Sequence, residues 1–195
     1  MRIEYEATFT NIDKDVMRQA LQKAGAECLR PKFMQKRSVF YLPSGHEIKG
    51  GWLRVRNEGD KITMSLKVVD GDRIENQKEI CLTVDSFDEA VQFLVSVGAR
   101  EKSYQETKRE LWRLDRAEIT IDEWPFLKPL VEIEADSEMV VRAAAEKLGL
   151  DYATARFCAV DTLYAEKYGI SEDRINNQTP RIVFEMENPF LDNKK

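Results

Sequence analysis

The feature that most constrains this chain is a strict alternation of apolar and polar residues in short segments whose charged faces each carry one sign. Side chains two positions apart on a strand share a face. In residues 2–9, Ile3, Tyr5, Ala7 and Phe9 oppose Glu4, Glu6 and Thr8. In 52–56, Leu53 and Val55 oppose Trp52, Arg54 and Arg56, and in 62–68, Ile62, Met64, Leu66 and Val68 oppose Thr63, Ser65 and Lys67. Later, Ile119 and Ile121 oppose Glu118, Thr120 and Asp122, while Val131 and Ile133 oppose Glu132 and Glu134. Alternation alone also suits a sheet with one wet face.

The periodicity predicts strands at about 2–9, 34–42, 52–58, 61–69, 77–84, 102–114, 117–123 and 130–135, with a tight turn at Asn57-Glu58-Gly59-Asp60. Helices are expected from Asp13 to about Ala26, from Ser86, where Ser86-Phe87-Asp88-Glu89 reads as a capping box, to Gly98, from Ser137 to Gly149, and over about 160–168. No long βαβ alternation occurs, which excludes a doubly wound parallel sheet. The expected class is α+β: an antiparallel sheet of about eight strands, enough to close into a barrel, with helices packed outside. Residues 1–170 form the expected domain. Residues 171–195 read as a polar tail, either a strand added to an edge or a cover over an opening.

With 195 residues the chain suits one domain and a short appendage. Its net charge of −5 offers no basic field for nucleic acid. No apolar run is long enough to span a bilayer, and Met1 to Glu6 lack the apolar core of a secretory signal. Cys28, Cys81 and Cys158 are odd in number and widely spaced, as free thiols are. A cytoplasmic protein, monomer or homodimer, without membrane or nucleic-acid partner, is expected. Three cysteines and the single His46 cannot build a zinc site, so any metal would be a hard cation held by oxygen.

The outer helices need an apolar sheet surface to cover. If the barrel closes, that surface is the outside and the charged face turns inward. Glu4, Glu6, Glu132 and Glu134 would then repel one another in a confined space, where unpaired charge is costly. Mg²⁺ or Mn²⁺ relieves this repulsion and retains waters that substrate phosphates can replace. Arg54, Arg56 and Lys67 would meet an anion, the guanidinium groups as bidentate forks and the lysine as a point charge. Carboxylates for metal and cations for phosphate in one lumen describe a phosphoryl-transfer site.

E-x-E pairs are common singly, and this chain has a third at Glu185/Glu187, in the tail, that is set aside. The ordered set carries more: Ile3-Glu4-Tyr5-Glu6, Trp52-Leu53-Arg54-Val55-Arg56, Leu66-Lys67, Lys78-Glu79-Ile80, Lys108-Arg109-Glu110-Leu111-Trp112, Ile119-Thr120-Ile121-Asp122 and Val131-Glu132-Ile133-Glu134. Over about residues 1–168 it resembles the CYTH family of triphosphate tunnel metalloenzymes, which includes class IV adenylate cyclases, thiamine triphosphatases and inorganic tripolyphosphatases. The resemblance implies a closed eight-stranded tunnel holding a small-molecule triphosphate. It implies Glu4, Glu6, Glu132 and Glu134 as metal ligands with Asp122 assisting. Arg54, Arg56, Lys67 and Arg109 become phosphate ligands, with Arg37 and Arg113 as further candidates and Glu79 orienting basic neighbours. Glu4, Glu6, Lys67 and Arg109 are the implied catalytic set.

Two positions depart from the family pattern. Thr8 stands where E-x-E-x-K has lysine, and Thr107 where K-x-R has lysine. Three functions stay open: a metal-dependent hydrolase of a triphosphate, a cyclase forming cyclic AMP from ATP, and a weakly catalytic polyphosphate or nucleotide binder. Trp112, Trp124 and Pro125 are expected in the outer core or a loop, whereas Trp52 shares parity with Arg54 and Arg56.

Overall fold

In the computed structural model, which describes residues 1–191, the N-terminal segment forms two strands rather than one. Strand β1 (Arg2–Ile3) pairs antiparallel with β6 (Gln77–Val84), and β2 (Tyr5–Phe9) pairs antiparallel with β9 (Leu130–Ala135). The path between them runs β1-β6-β5-β4-β3-β7-β8-β9-β2, through β3 (Glu27–Tyr41), β4 (Gly51–Asn57), β5 (Ile62–Val69), β7 (Arg100–Leu114) and β8 (Ala117–Glu123). The two ends of the sheet are thus consecutive pieces of one segment, and the sheet curls into a barrel nearly closed at a seam. The expected eight strands are these, with the first divided at Glu4. The Glu4 amide donates to the Gln77 carbonyl at 3.0 Å, and Gln77 Nε2 donates to the Glu6 carbonyl at 2.6 Å, stitching the seam.

The outward faces of β2, β8 and β9 carry Ala7, Phe9, Ile119, Ile121, Val131 and Ile133, all buried. They pack with Met17 and Leu21 of α1 (Lys14–Lys23) and with Val141, Ala144 and Ala145 of α3 (Glu138–Lys147). Burying such side chains is worth about 1.5–3 kcal/mol for each large one, which fixes the apolar face outside and the charged face inside. A second cluster sets Ala90 and Leu94 of α2 (Phe87–Ser96) on Phe40 and Val55. Ser86 caps α2, its Oγ accepting from the Glu89 amide at 3.2 Å. Ser137 precedes α3 without a side-chain cap bond.

Strand β3 begins seven residues earlier than the alternation predicts, at Glu27 rather than 34. Its early part passes through Pro31 and shifts register against β7 between Cys28 and Arg30 and between Arg30 and Phe33, which conceals the period of two. The C-terminal part holds α4 (Val160–Tyr168), α5 (Glu172–Gln178) and β10 (Arg181–Ile182), the last parallel to β7. Helix α5 falls within the expected polar tail; Ser171 Oγ accepts from the Arg174 amide at 3.2 Å, ahead of an acidic first turn. Arg156 pairs with Thr8 on the free side of β2, and β10 takes the free side of β7. The chain after Phe157 therefore runs from beside β2 to the part of β7 that β8 leaves unpaired. Expectations for residues 192–195 fall outside the described residues. Among the described residues, no helix is long and apolar enough to cross a membrane.

Candidate active site

The barrel encloses a cavity of about 190 Å³ lined by Glu4, Glu6, Arg37, Arg54, Arg56, Lys67, Glu79, Arg109, Glu132 and Glu134, among others. Two of its walls are built by register. Glu6 pairs with Glu134, which pairs in turn with Glu118, so three carboxylates form a row across β2, β9 and β8. Arg37 pairs with Arg56 across β3 and β4. Like charges directly opposite each other are destabilising on a sheet. Each row therefore favours a counter-charge from within the cavity.

Some of that counter-charge is internal. Lys67 Nζ lies 3.0 Å from Glu4 Oε2 and 3.2 Å from Glu6 Oε1. Arg54 Nη2 donates to Glu79 Oε1 at 2.8 Å, and Arg56 Nη2 lies 2.8 Å from Glu58 Oε1. Arg109 donates from Nε to Asp122 Oδ1 at 2.7 Å, and from Nη2 to Asp122 Oδ2 at 2.5 Å and Glu132 Oε2 at 2.7 Å. Other donors remain free: the Nε atoms of Arg37, Arg54 and Arg56 are buried without a hydrogen-bond partner.

Burial sets the titration of the carboxyls. It lifts Glu4 to about 8 against the pull of Lys67, and lifts Glu132 to about 8 with help from Glu6 and Asp122. Burial also raises Glu134, with Glu6 adding to it. For Glu79, burial is the largest single influence, but Arg54, Lys67 and hydrogen bonds from Glu4 and Ser65 together outweigh it and the value drops to about 2. Asp122 is lowered because Arg109 overcomes its burial. Burial lowers Arg56 to about 10, with Arg54 beside it adding repulsion. Lys67 is held protonated, since Glu6 and Glu4 outweigh its burial.

The donor set is oxygen only, which suits a hard divalent cation. Among the described residues, no three carboxylate, imidazole or thiol side chains converge on one point as they stand. Lys67 occupies the place between Glu4 and Glu6. The residues fit such an ion by chemistry: Glu4 Oε2 is paired by charge but not hydrogen-bonded, and in the Glu6–Glu134–Glu118 row only Glu6 has a basic partner, Lys67, among the described residues.

The structure brings together Glu4, Glu6, Arg37, Arg54, Arg56, Lys67, Arg109, Glu132 and Glu134 around the cavity. Asp122 stands behind Arg109, with both oxygens engaged by it. Arg113 is not among the lining residues; its guanidinium is exposed and bonded to Glu27. Parity put Arg113 on the face of Arg109, but four residues along a strand is about 13 Å, enough to carry it past the barrel's end. Trp124 stands in the loop after β8, as expected, and from there also lines the cavity, with Arg37 stacked 4.6 Å from its ring centroid. Trp112 does sit in the outer core.

Sequence reading missed Glu58, buried and paired with Arg56, because it was assigned to a turn; its parity with Arg54 and Arg56 was the available signal. It also missed Val160, Asp161, Tyr164, Ile175, Asn176 and Ile182, which line the cavity from the C-terminal segment. Only the tertiary return of that segment to the barrel places them there. Asn176 is held by Tyr41, whose hydroxyl donates to its carbonyl at 2.8 Å, and donates from Nδ2 to Asp161 Oδ2 at 2.5 Å.

The CYTH domain model matches residues 2–157. No curated relative matches the chain. Among solved structures, a proposed adenylate cyclase from Vibrio parahaemolyticus superposes with a TM-score of 0.72 at 14% identity, covering 84% of this chain and 98% of that one. The PH1012 protein from Pyrococcus horikoshii OT3 gives 0.66 at 19% identity, covering 80% and 96%. A proposed adenylyl cyclase from Hippeastrum, described as having a dominant triphosphatase activity, gives 0.55 at 12% identity, covering 88% and 97%. At these identities the superpositions show a shared fold. With the family model matched over most of its length and the barrel in place, this chain belongs to the CYTH domain family.

Proposed function

We propose that the chain is a divalent-metal-dependent phosphohydrolase acting on a triphosphate-containing substrate held in the barrel cavity. The observation that carries this reading is the set of three buried guanidinium Nε donors, on Arg37, Arg54 and Arg56, without protein partners in one cavity. Phosphoryl transfer needs little covalent chemistry from the protein; positioning and charge stabilisation supply most of the acceleration.

Arg54, Arg56, Lys67 and Arg109 hold phosphate oxygens and offset charge developing at phosphorus, and Arg37 adds a further fork. Glu4, Glu6, Glu132 and Glu134 would hold Mg²⁺ or Mn²⁺, with Asp122 fixing Arg109. When bound, the metal supplies Lewis-acid polarisation of phosphate oxygens and a more acidic water. Glu79 and Glu58 orient Arg54 and Arg56. The nucleophile for hydrolysis is water.

A second reading, an adenylate cyclase in which the ribose 3′-hydroxyl of ATP attacks, is favoured by the cavity's other lining. Trp52, Trp124, Val160, Tyr164 and Ile182 offer an organic group apolar contact beyond the charged ring. The cytoplasmic reading rests on the three unpaired thiols.

The test measures phosphate release and cyclic AMP formation from inorganic tripolyphosphate, ATP and thiamine triphosphate with Mg²⁺, Mn²⁺ or EDTA. Metal-dependent phosphate release, lost in Glu4→Gln/Glu6→Gln, is the expected result. Cyclic AMP as the main product would make the chain a cyclase. Binding without turnover would make it a polyphosphate or nucleotide binder.

A further inference from the structure

Thr107 reads from the sequence as a missing cation. Its surroundings give it another role. Thr107 is fully buried on β7 and is the cross-strand partner of Gln35 on β3, two residues before Arg37. Arg37 Nη2 donates to Gln35 Oε1 at 2.9 Å and to Thr107 Oγ1, and Thr107 Oγ1 in turn donates to Gln35 Oε1 at 3.0 Å. The indole of Trp124 covers the guanidinium face. Gln35, Thr107 and Trp124 thus fix one edge and one face of a planar group, and the Nε is left without a partner.

Charge makes this arrangement informative. Arg54, Arg56 and Arg109 each have a carboxylate partner, whereas Arg37 has none within ion-pair distance among the described residues. It is only 4% exposed, and it faces Arg56 directly across the ladder. Burial, then the guanidinium groups of Arg56, Arg54 and Arg109, work against its charged form. A buried arginine with a purely structural task would be expected to carry a carboxylate, as Arg109 does. One held only by neutral groups, at a cavity wall, has no carboxylate to compete with an anion for its guanidinium.

We propose that Thr107 is a positioning residue which, with Gln35 and Trp124, fixes Arg37 as a phosphate-binding guanidinium, so that the cation missing at 107 is supplied from the neighbouring strand. The proposal rests on the triphosphate reading for the identity of the anion. Thr107 does not line the cavity and acts through Arg37 alone.

The experiment is calorimetric titration of inorganic tripolyphosphate, with Mg²⁺ present, into the full chain and its variants, alongside thermal unfolding. Thr107→Val keeps volume and branching and removes the hydroxyl; it is expected to weaken binding about tenfold, the scale of one hydrogen bond to a charged group, at nearly unchanged Tm. Gln35→Met breaks the same frame from the other strand and is expected to act alike. Thr107→Ser retains the hydroxyl and is expected to bind within about twofold of wild type. Arg37→Met is expected to bind at least as weakly as Thr107→Val, and Arg37→Met/Thr107→Val no more weakly than Arg37→Met, because coupled residues are not additive. Wild-type affinity in both Thr107→Val and Gln35→Met would overturn the proposal, as would a further independent loss in the double variant. Wild-type protein that fails to bind tripolyphosphate would overturn the triphosphate reading and this proposal together; binding lost only in Arg37→Met would overturn this proposal alone.

Discussion

Arg109 and Asp122 face each other across the β7–β8 ladder and are joined through both carboxylate oxygens, at 2.7 Å and 2.5 Å. Asp122 is fully buried, and Thr120 Oγ1 donates to its Oδ2 at 3.0 Å. Removing one partner of such a pair leaves a buried charge short of its counter-charge. Asp122→Ala is therefore expected to destabilise the chain by about 3–5 kcal/mol. Urea unfolding checks it, and a loss below about 1 kcal/mol would mean that Glu132 alone neutralises Arg109.

The raised carboxyls make the metal-free protein sensitive to alkali. Glu4 and Glu132 move from an ordinary 4.5 to about 8, so between those values the folded chain holds protons that the unfolded chain releases. Stability conferred below that window is lost as pH rises through about 8. Glu79, lowered to about 2, acts in the opposite sense and only at lower pH, losing its contribution as pH falls through that value. Unfolding measured in EDTA is expected to become easier from about pH 5 to pH 8, and Glu4→Gln is expected to flatten the slope. Stability that rises over the same range would contradict the burial of these groups.

The C-terminal segment is tied to the barrel by packing. Ile182 is 1% exposed, lines the cavity and pairs with Gln105 on β7. Ile182→Ala is expected to cost about 2–5 kcal/mol. The same variant enlarges the cavity beside the apolar lining, so discrimination between tripolyphosphate and ATP is expected to change. Unaltered stability and preference would mean that the segment neither packs firmly on β7 nor shapes the cavity.

Arg113 provides a control for the placement of the other arginines. Its pair with Glu27 is exposed, so Arg113→Ala is expected to shift stability by less than about 0.5 kcal/mol and leave triphosphate affinity within about twofold. A large loss of affinity would place Arg113 back in the site.

Most of the barrel was legible because its walls follow the period of two: Arg54 and Arg56, Glu132 and Glu134, and Glu4 and Glu6 all reach the cavity from alternating runs. Alternation gives the face of a residue but not its height along the barrel, which is why Arg113 was grouped with Arg109. It also fails where the ladder slips, as in β3 around Pro31. Trp124 and Asn176 reach the cavity from a loop after β8 and from α5, by contacts distant in sequence that no local pattern encodes. Thr107 looked like a loss because its spacing shows the missing charge and conceals the guanidinium two places along the opposite strand.

The most direct test of the central claim is whether the cavity's arginines bind a triphosphate. Calorimetric titration of inorganic tripolyphosphate with Mg²⁺ present, into wild type and Arg54→Met/Arg56→Met, is expected to give saturable one-to-one binding that the double variant loses by a factor of about 100 or more, given two charge-assisted contacts. Equal affinity in both proteins, or no binding to wild type, would contradict the claim that these guanidinium groups hold the substrate.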